Sequence, residues 1–243
     1  MRKNGIIIAV DGPSGAGKST ITRRLARRLG YIHLDTGAMY RTVALLALRQ
    51  GISADADPDL DRLCAGLDIV FEREDGGFRV LANGEDVSAL IRTPEISLLT
   101  SRVSARKVVR DHMQRLQRHL GESGGVILEG RDIGTVVFPD AEAKFFLSAS
   151  VEERGRRRYL EHREKGEDVS LETTISEVAQ RDAQDEQREH APLRRADDAV
   201  DIDSTGLTID QVLDEMERVV ASRLALLPPD AVRTGTDQKL EVS

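Results

Sequence analysis

Two glycines, a lysine and a serine stand at a characteristic spacing near the start of the chain. The stretch fits the pattern G-x-x-x-x-G-K-[ST] at every position and reads Gly12, Pro13, Ser14, Gly15, Ala16, Gly17, Lys18, Ser19. Glycines allow backbone N–H groups to turn inward around phosphate oxygens. A lysine in this place reaches β- and γ-phosphates, and the hydroxyl that follows it ligates Mg²⁺. The spacing therefore predicts that the chain binds a nucleoside triphosphate with its Mg²⁺.

The residues on both sides of this stretch (the phosphate loop, residues 12–19) predict the elements that would hold it. Residues 6–10 form a continuous apolar run, which is typical of a buried parallel strand. Ile21, Leu25 and Leu29 recur every four residues and define one face of a helix that ends at Gly30. Such a helix points its positive end at the bound anion. This context separates the motif from a chance glycine-rich turn.

Composition limits the classes of protein that the chain can represent. Its 243 residues suffice for one α/β domain with an insertion or two, and the formal charge of −7 argues against a broad nucleic-acid-binding surface. Cys64 is the only cysteine, which excludes an internal disulfide and suits a reducing cytoplasm. Only five apolar residues stand between Lys3 and Asp11, and no apolar run approaches the roughly 20 residues of a membrane helix. We therefore expect neither a signal peptide nor a membrane partner.

Apolar runs alternate with helical patterns along the chain, which indicates a parallel α/β fold. Further strands are predicted at residues 31–34, 126–128, 144–147 and 199–202. Helices are predicted after capping-box patterns that begin at Ser150 and at Thr208. The expected fold class is α/β, with a central parallel five-stranded sheet flanked by helices.

Two segments depart from this alternation. Residues 52–101 contain short apolar runs separated by Gly76-Gly77 and Asn83-Gly84, which predicts a small antiparallel β insert, followed by a helix that starts near Thr93. Residues 152–195 are densely charged, which predicts either a solvated helical hairpin or a helical lid that closes over a charged ligand. We therefore expect four parts: a core of residues 1–51, 102–151 and 196–225, an insert of residues 52–101, a lid of residues 152–195 and a disordered tail of residues 226–243.

A phosphate loop alone does not separate a kinase from other nucleotide-binding proteins. The chain has neither the N-K-x-D quartet that reads guanine nor the L-S-G-G-Q signature of ABC ATPases, which leaves a small kinase with a small-molecule acceptor. The stretch L-D-T-G-A-M-Y-R at residues 34–41 follows a predicted strand, where α/β sheets bind ligands. Together with G-R-D-I-G-T at 130–135, I-R-T at 91–93, R-D at 181–182, A-P-L at 191–193 and D-S-T at 203–205, it resembles the bacterial cytidylate kinases.

The resemblance covers residues 6 to about 220 and implies a P-loop nucleoside monophosphate kinase fold. It implies transfer of the γ-phosphoryl group of ATP to CMP or dCMP, with Mg²⁺ carried as ATP–Mg. The insert would be the monophosphate-binding subdomain. The protein is expected to act in the cytoplasm as a monomer, with ATP and CMP or dCMP as its partners and no nucleic acid.

The resemblance also assigns roles to individual residues. Two phosphorylated substrates repel each other, and guanidinium groups bind phosphate oxygens bidentately, so arginines suit their meeting point. The catalytic residues implied are Lys18, Arg131, Asp132 and Arg188. The ATP-binding residues implied are the phosphate loop, Thr20, Arg154 and Arg157, and the CMP-binding residues are Thr36, Tyr40, Arg41, Ser101, Arg110, Arg131, Asp132, Arg181, Asp185 and Arg188.

Within the acceptor set, the base and the ribose are assigned to different residues. Asp132 would accept a hydrogen bond from cytosine N4, and Arg110 would donate to N3 and O2 with help from Ser101. Arg181, Asp185 and Arg188 are spaced i, i+4, i+7, which predicts that they share one helix face, where they could form a salt bridge on a solvated helix. The resemblance instead implies that they meet the ribose and phosphate.

The chain departs from the family pattern at two places. Glu129 stands where an aspartate is expected, which changes the reach of the carboxylate, and Ser19-Thr20 replaces the Gly-Thr pair of some relatives. Other small-molecule kinases, such as UMP/CMP, thymidylate or shikimate kinases, remain alternatives. A protein that binds ATP without turning it over is a further alternative from a different class.

Overall fold

The computed structural model describes residues 2–74, 77–164 and 166–226, which divide into two compact units. The first unit contains residues 2–34 and 124–226 of this part, and the second contains residues 35–123. The tail predicted to be disordered, residues 226–243, lies outside the described residues except for Leu226.

Strands and helices alternate as the sequence predicts. The strands are β1 Ile7–Asp11, β2 Ile32–Asp35, β3 Ile69–Glu74, β4 Gly77–Ala82, β5 Glu85–Asp86, β6 Val126–Gly130, β7 Ala143–Ser148 and β8 Val200–Asp203. The helices are α1 Lys18–Leu29, α2 Thr36–Arg49, α3 Asp57–Ala65, α4 Pro94–Val103, α5 Lys107–Gly121, α6 Val151–Glu164, α7 Leu171–Gln187 and α8 Ile209–Ala225.

A five-stranded sheet in the order β2-β6-β1-β7-β8 forms the centre of the first unit, and it confirms the predicted fold class. β1 lies between two parallel neighbours, with Ile8 opposite Ile127 of β6 and opposite Ala143 of β7. The strand order changes direction at β1, and open α/β sheets bind ligands at such a switch point, outside the carboxyl ends of the strands. The phosphate loop leaves β1 at this edge.

The core of the first unit explains why these elements pack together. All five residues of β1 are buried, as expected for a central parallel strand with both faces covered. The apolar face of α1 packs there through Ile21 and Leu25, and α8 adds Leu213 and Met216. No helix in the described part of the chain has the length and apolar character to span a membrane.

The second unit combines α2 to α5 with a three-stranded antiparallel sheet, β3-β4-β5. Asn83 and Gly84 join β4 to β5 with φ angles of 50° and 82°, the conformation that two-residue hairpins favour. The turn predicted at Gly76-Gly77 lies partly outside the described residues. The predicted insert, residues 52–101, falls inside this wider unit, and its assignment to monophosphate binding stays a prediction.

The charged segment folds as the two helices α6 and α7, which fits the predicted helical hairpin. The prediction that Arg188 shares a helix face with Arg181 and Asp185 was wrong, because α7 ends at Gln187 and Arg188 has an extended ψ of 141°. The chain turns back here, and the Leu193 N–H donates to the Asp185 carbonyl at 2.8 Å.

The capping box of α8 gives a test of the local fold. The Thr208 side chain accepts from the Gln211 N–H, and the Gln211 side chain accepts from the Thr208 N–H. We expect Thr208→Ala to lower the free energy of unfolding by about 1 kcal/mol, because a helix-terminal N–H loses its partner. Urea denaturation measures the change. Thr208→Ser keeps the hydroxyl and is the control, and equal losses in both variants would contradict this account of the cap.

Candidate active site

The phosphate loop is shaped by a close approach between backbones. Gly12 has a φ of 148°, and a Cβ atom at this position would lie 2.0 Å from the Leu147 carbonyl oxygen of β7, so no other residue fits. Lys18 is buried, and its Nζ donates to the carbonyls of Gly12 and Pro13, each at 2.7 Å. Burial, with the charge of Arg131, lowers the pKa of the Lys18 ammonium to about 7. An arriving phosphate would reverse this shift.

Glu129 at the end of β6 connects two side chains that are distant in sequence. The Ser19 hydroxyl donates to Glu129 Oε2 at 2.8 Å, and His33 Nε2 lies 2.9 Å from Glu129 Oε1. Glu129 and His33 are both buried. Glu129, which stands where an aspartate was expected from the sequence, thus contacts the hydroxyl that is predicted to ligate Mg²⁺. Hydroxyl and carboxylate oxygens are ligands that suit this hard cation.

Several of the predicted acceptor-binding residues meet in an ionic network of the first unit. Arg131 Nε donates to Asp185 Oδ2 at 2.8 Å. Arg188 lies 3.6 Å from Asp132 and 3.7 Å from Asp185, and its Nε donates to the Ala191 carbonyl. Burial alone would raise the pKa of the Asp185 carboxyl, but Arg131, Arg181 and Arg188 outweigh it and hold that pKa below its usual range. The carboxylates of Asp132 and Asp185 thus hold these cations close together.

Asp11 belongs to the site, although the sequence analysis did not select it. It is the last residue of β1, and its two carboxylate oxygens accept the N–H groups of Ile133 and Gly134 at 2.8 and 2.7 Å. Burial raises the pKa of the Asp11 carboxyl to about 6, although these hydrogen bonds favour the charged form. Its position in the sequence could have identified it, because a carboxylate at the end of a buried strand stands at the sheet edge where ligands bind.

The two arginines of α6 that were predicted to bind ATP are held by protein groups in this structure. Arg154 is buried, and its guanidinium pairs with Asp182 of α7 at 2.6 Å and donates to the carbonyls of Ala149 and Ser14. Arg157 donates to the hydroxyl and the carbonyl of Ser204 at 3.1 and 3.0 Å. Both therefore support the phosphate loop and its surroundings.

The second unit holds five of the residues that were predicted to bind the acceptor, Thr36, Tyr40, Arg41, Ser101 and Arg110. Asp35 caps α2 by accepting the Ala38 N–H, and its other oxygen accepts from Arg41 at 2.7 Å. The Arg110 guanidinium lies over the ring of Tyr40, 5.4 Å from its centroid, and is almost fully buried. Thr36 is buried at the first position of α2, and Ser101 lies half-buried on α4.

Comparison with known proteins decides the family. The family model for cytidylate kinase matches residues 8–222. The chain belongs to the cytidylate kinase family. A protein named cytidylate kinase from Geobacter sulfurreducens is 69% identical over 93% of this chain and 97% of its own length. A second, from Bacillus cereus, is 46% identical over 90% of this chain and 98% of its own.

Among solved structures, the chain resembles an uncharacterized protein from Eubacterium ventriosum. The TM-score is 0.51 at 12% sequence identity, over 89% of this chain and 99% of that one. At this identity the likeness concerns the fold alone, and it agrees with the parallel α/β architecture.

The buried pair of α6 and α7 gives a test of what Arg154 does in this cytidylate kinase family member. We expect Arg154→Met to lower the free energy of unfolding by roughly 3 kcal/mol, because Asp182 is left buried without its cation. Urea denaturation measures the loss. Arg156→Met on the same helix is the control, since Arg156 is exposed. Unchanged stability with weaker ATP binding would contradict a structural role and favour direct contact with ATP.

The raised pKa of Asp11 predicts how stability depends on pH. The folded protein binds a proton at this carboxyl below about pH 6, whereas the unfolded chain does so only near pH 3.8. The contribution of Asp11 to stability therefore falls as pH rises from about 4 to 6. We expect the free energy of unfolding of the wild type, relative to that of Asp11→Asn, to be lower at pH 7.5 than at pH 4.5. A difference that is constant with pH, measured by urea denaturation, would contradict the shift.

Proposed function

We propose that this protein transfers the γ-phosphoryl group of ATP to CMP or dCMP, giving CDP or dCDP, with Mg²⁺ carried by the ATP phosphates. The observation that carries the proposal is that Arg131 and Arg188 share one ionic network. Lys18 lies near enough for the charge of Arg131 to lower its pKa. These cations come from the start of α1, the end of β6 and the end of α7. Phosphoryl transfer needs two anionic substrates to be positioned and their repulsion to be offset, and little covalent chemistry from the protein.

On the donor side, the phosphate loop would hold the triphosphate through its N–H groups and through Lys18. Arrival of the phosphates would draw Lys18 away from the carbonyls of Gly12 and Pro13, which it contacts at present. Ser19 would be the protein ligand of Mg²⁺, with Glu129 accepting from its hydroxyl. Mg²⁺ bridges phosphate oxygens and neutralises the charge that develops on them.

On the acceptor side, Arg41, Arg131 and Arg188 would bind the monophosphate. Arg181 and Asp185 would meet the ribose hydroxyls, and Thr36 and Tyr40 would complete the acceptor pocket. Asp132, Arg110 and Ser101 would select the base, because uracil reverses the donor and acceptor pattern at positions 3 and 4 and leaves buried groups unpaired.

The proposal extends to cellular setting and domain roles. We place the protein in the cytoplasm as a monomer, with its insert (residues 52–101) binding the monophosphate and its charged hairpin (residues 152–195) acting as a lid. The buried thiol of Cys64 supports a purely structural part for that residue, since burial raises its pKa to about 11.

The release of ADP from ATP–Mg²⁺, with each nucleoside monophosphate offered singly, tests the function. We expect strong dependence on CMP and dCMP, with UMP and AMP far behind. Equal activity with UMP would leave a kinase but discard the proposed base pocket. Binding of ATP without any acceptor-dependent ADP release would overturn the proposal.

The acceptor phosphate site is tested by Arg131→Ala. We expect kcat/KM for CMP to fall by about 100-fold or more, because a desolvated charge that offsets phosphate repulsion is lost. The fold should persist, as measured by circular dichroism. Arg195→Ala removes a half-exposed arginine paired with Asp201 and is the control. Unchanged turnover in Arg131→Ala would contradict its assignment.

Base selection is tested by Asp132→Asn. We expect the ratio of kcat/KM for CMP to that for UMP to fall by about 10-fold or more, because an amide can donate to the uracil O4 as well as accept. Steady-state kinetics with both acceptors measure this ratio. If both constants fall equally and the ratio is kept, Asp132 does not read the base.

A further inference from the structure

Asp11 connects the phosphate loop to the segment that carries the acceptor residues. It immediately precedes Gly12, and its carboxylate accepts the N–H groups of Ile133 and Gly134, which come directly after Arg131 and Asp132. Asp11 is 4% exposed, so water does not compete for these bonds. The two N–H groups open a short π-helical turn, Ile133–Val137, and N–H groups at the start of a helical turn have no partner inside it.

Gly134 shows how closely the two chain segments approach. A Cβ atom at this position would lie 3.4 Å from Asp11 Oδ2, an ordinary contact, and 3.2 Å from Lys144 Cδ, a tight one. Lys144 is itself buried and holds the chain beyond the turn, since its Nζ donates to the Pro139 carbonyl at 2.6 Å and pairs with Asp198 at 2.9 Å. The π-helical turn is therefore tied down at its start and just after its end.

We propose that Asp11 is a positioning residue that fixes Arg131 and Asp132 relative to the phosphate loop, and so aligns the acceptor with the donor. The role rests on the proposed function. Asp11 contacts neither substrate in this account and acts through the backbone of residues 131–134. A one-ångström displacement of a positioning group can cost about 100-fold in rate.

The choice of a carboxylate at this position supports the role. Two N–H groups that point at one side chain need two acceptor atoms, and only an ionised carboxyl group accepts at both of its oxygens. An asparagine of the same size would turn an NH₂ group toward one of the two donors. The charge is also costly to keep, because burial raises the pKa of Asp11. If this side chain only filled space, an apolar residue would do so at a lower free-energy cost.

The effect expected from Asp11→Asn falls mainly on the acceptor. The segment after Gly130 loses one of its two anchors, so Arg131 and Asp132 are placed less well. The phosphate loop keeps its glycines, Lys18 and Ser19. Removing a negative charge near Lys18 does not weaken the binding of a triphosphate, which is itself an anion. We expect kcat/KM for CMP to fall by about 10- to 100-fold while the Kd for ATP stays within about three-fold.

The experiment compares wild type, Asp11→Asn and Asp198→Asn in steady-state kinetics with CMP, with ATP binding measured by titration calorimetry. Asp198→Asn is the matched control, since it makes the same chemical change at an exposed carboxylate, and Lys144 keeps its bond to the Pro139 carbonyl, which holds the chain beyond the turn. It should keep both constants near those of wild type.

The outcomes separate positioning from simple loss of structure. A fall in kcat alone, matched by a smaller folded fraction in circular dichroism and with the KM for CMP unchanged, would overturn the positioning role. Unchanged constants in Asp11→Asn beside an active wild type would overturn it as well and leave the proposed function standing. A wild type without CMP-dependent turnover would overturn both.

Discussion

The balance of charge at the carboxyl edge of the parallel sheet is the constraint on which the rest of this structure depends. Under the proposed function two polyanions meet there, and cations that are assembled in advance offset their repulsion. The protein holds them with carboxylates: Asp185 accepts from Arg131, and Asp132 and Asp185 lie within 3.7 Å of Arg188. Preorganised charges in a partly desolvated site cost no reorganisation at the moment of reaction.

The fold supplies this arrangement through its topology. β1 and β6 are parallel neighbours, and Asp11 is paired with Gly130 in the register. The phosphate loop after Asp11 and the segment that starts with Arg131 therefore leave the sheet at the same edge. α6 and α7 then bring Arg154 and Asp182 together beneath the phosphate loop, where Arg154 donates to the Ser14 carbonyl. The groups proposed to bind substrate are thus backed by contacts between backbone and buried side chains.

The sequence predicted the strands and helices well, because the order of buried and exposed residues along each element follows from its local geometry. The apolar run before Gly12, the spacing of Ile21 and Leu25, and the Thr208 cap are local patterns, and all three appear as expected. The partners of polar side chains were not predictable in the same way. Ser19 bonds to Glu129, 110 positions away, and Asp11 bonds to Ile133, 122 positions away, because the sheet order brings them together. Helical spacing also failed at Arg188, where the chain leaves α7.

The binding of CMP and of cytidine to the wild-type protein, compared by titration calorimetry, tests the central claim most directly. If a preassembled cluster of cations receives the acceptor phosphate, CMP should bind at least about 100-fold more tightly than cytidine, since charge-assisted bonds to phosphate are worth several kcal/mol in a desolvated site. Added salt should narrow the gap only slightly, because buried pairs are poorly screened. Equal affinities for CMP and cytidine would contradict the account.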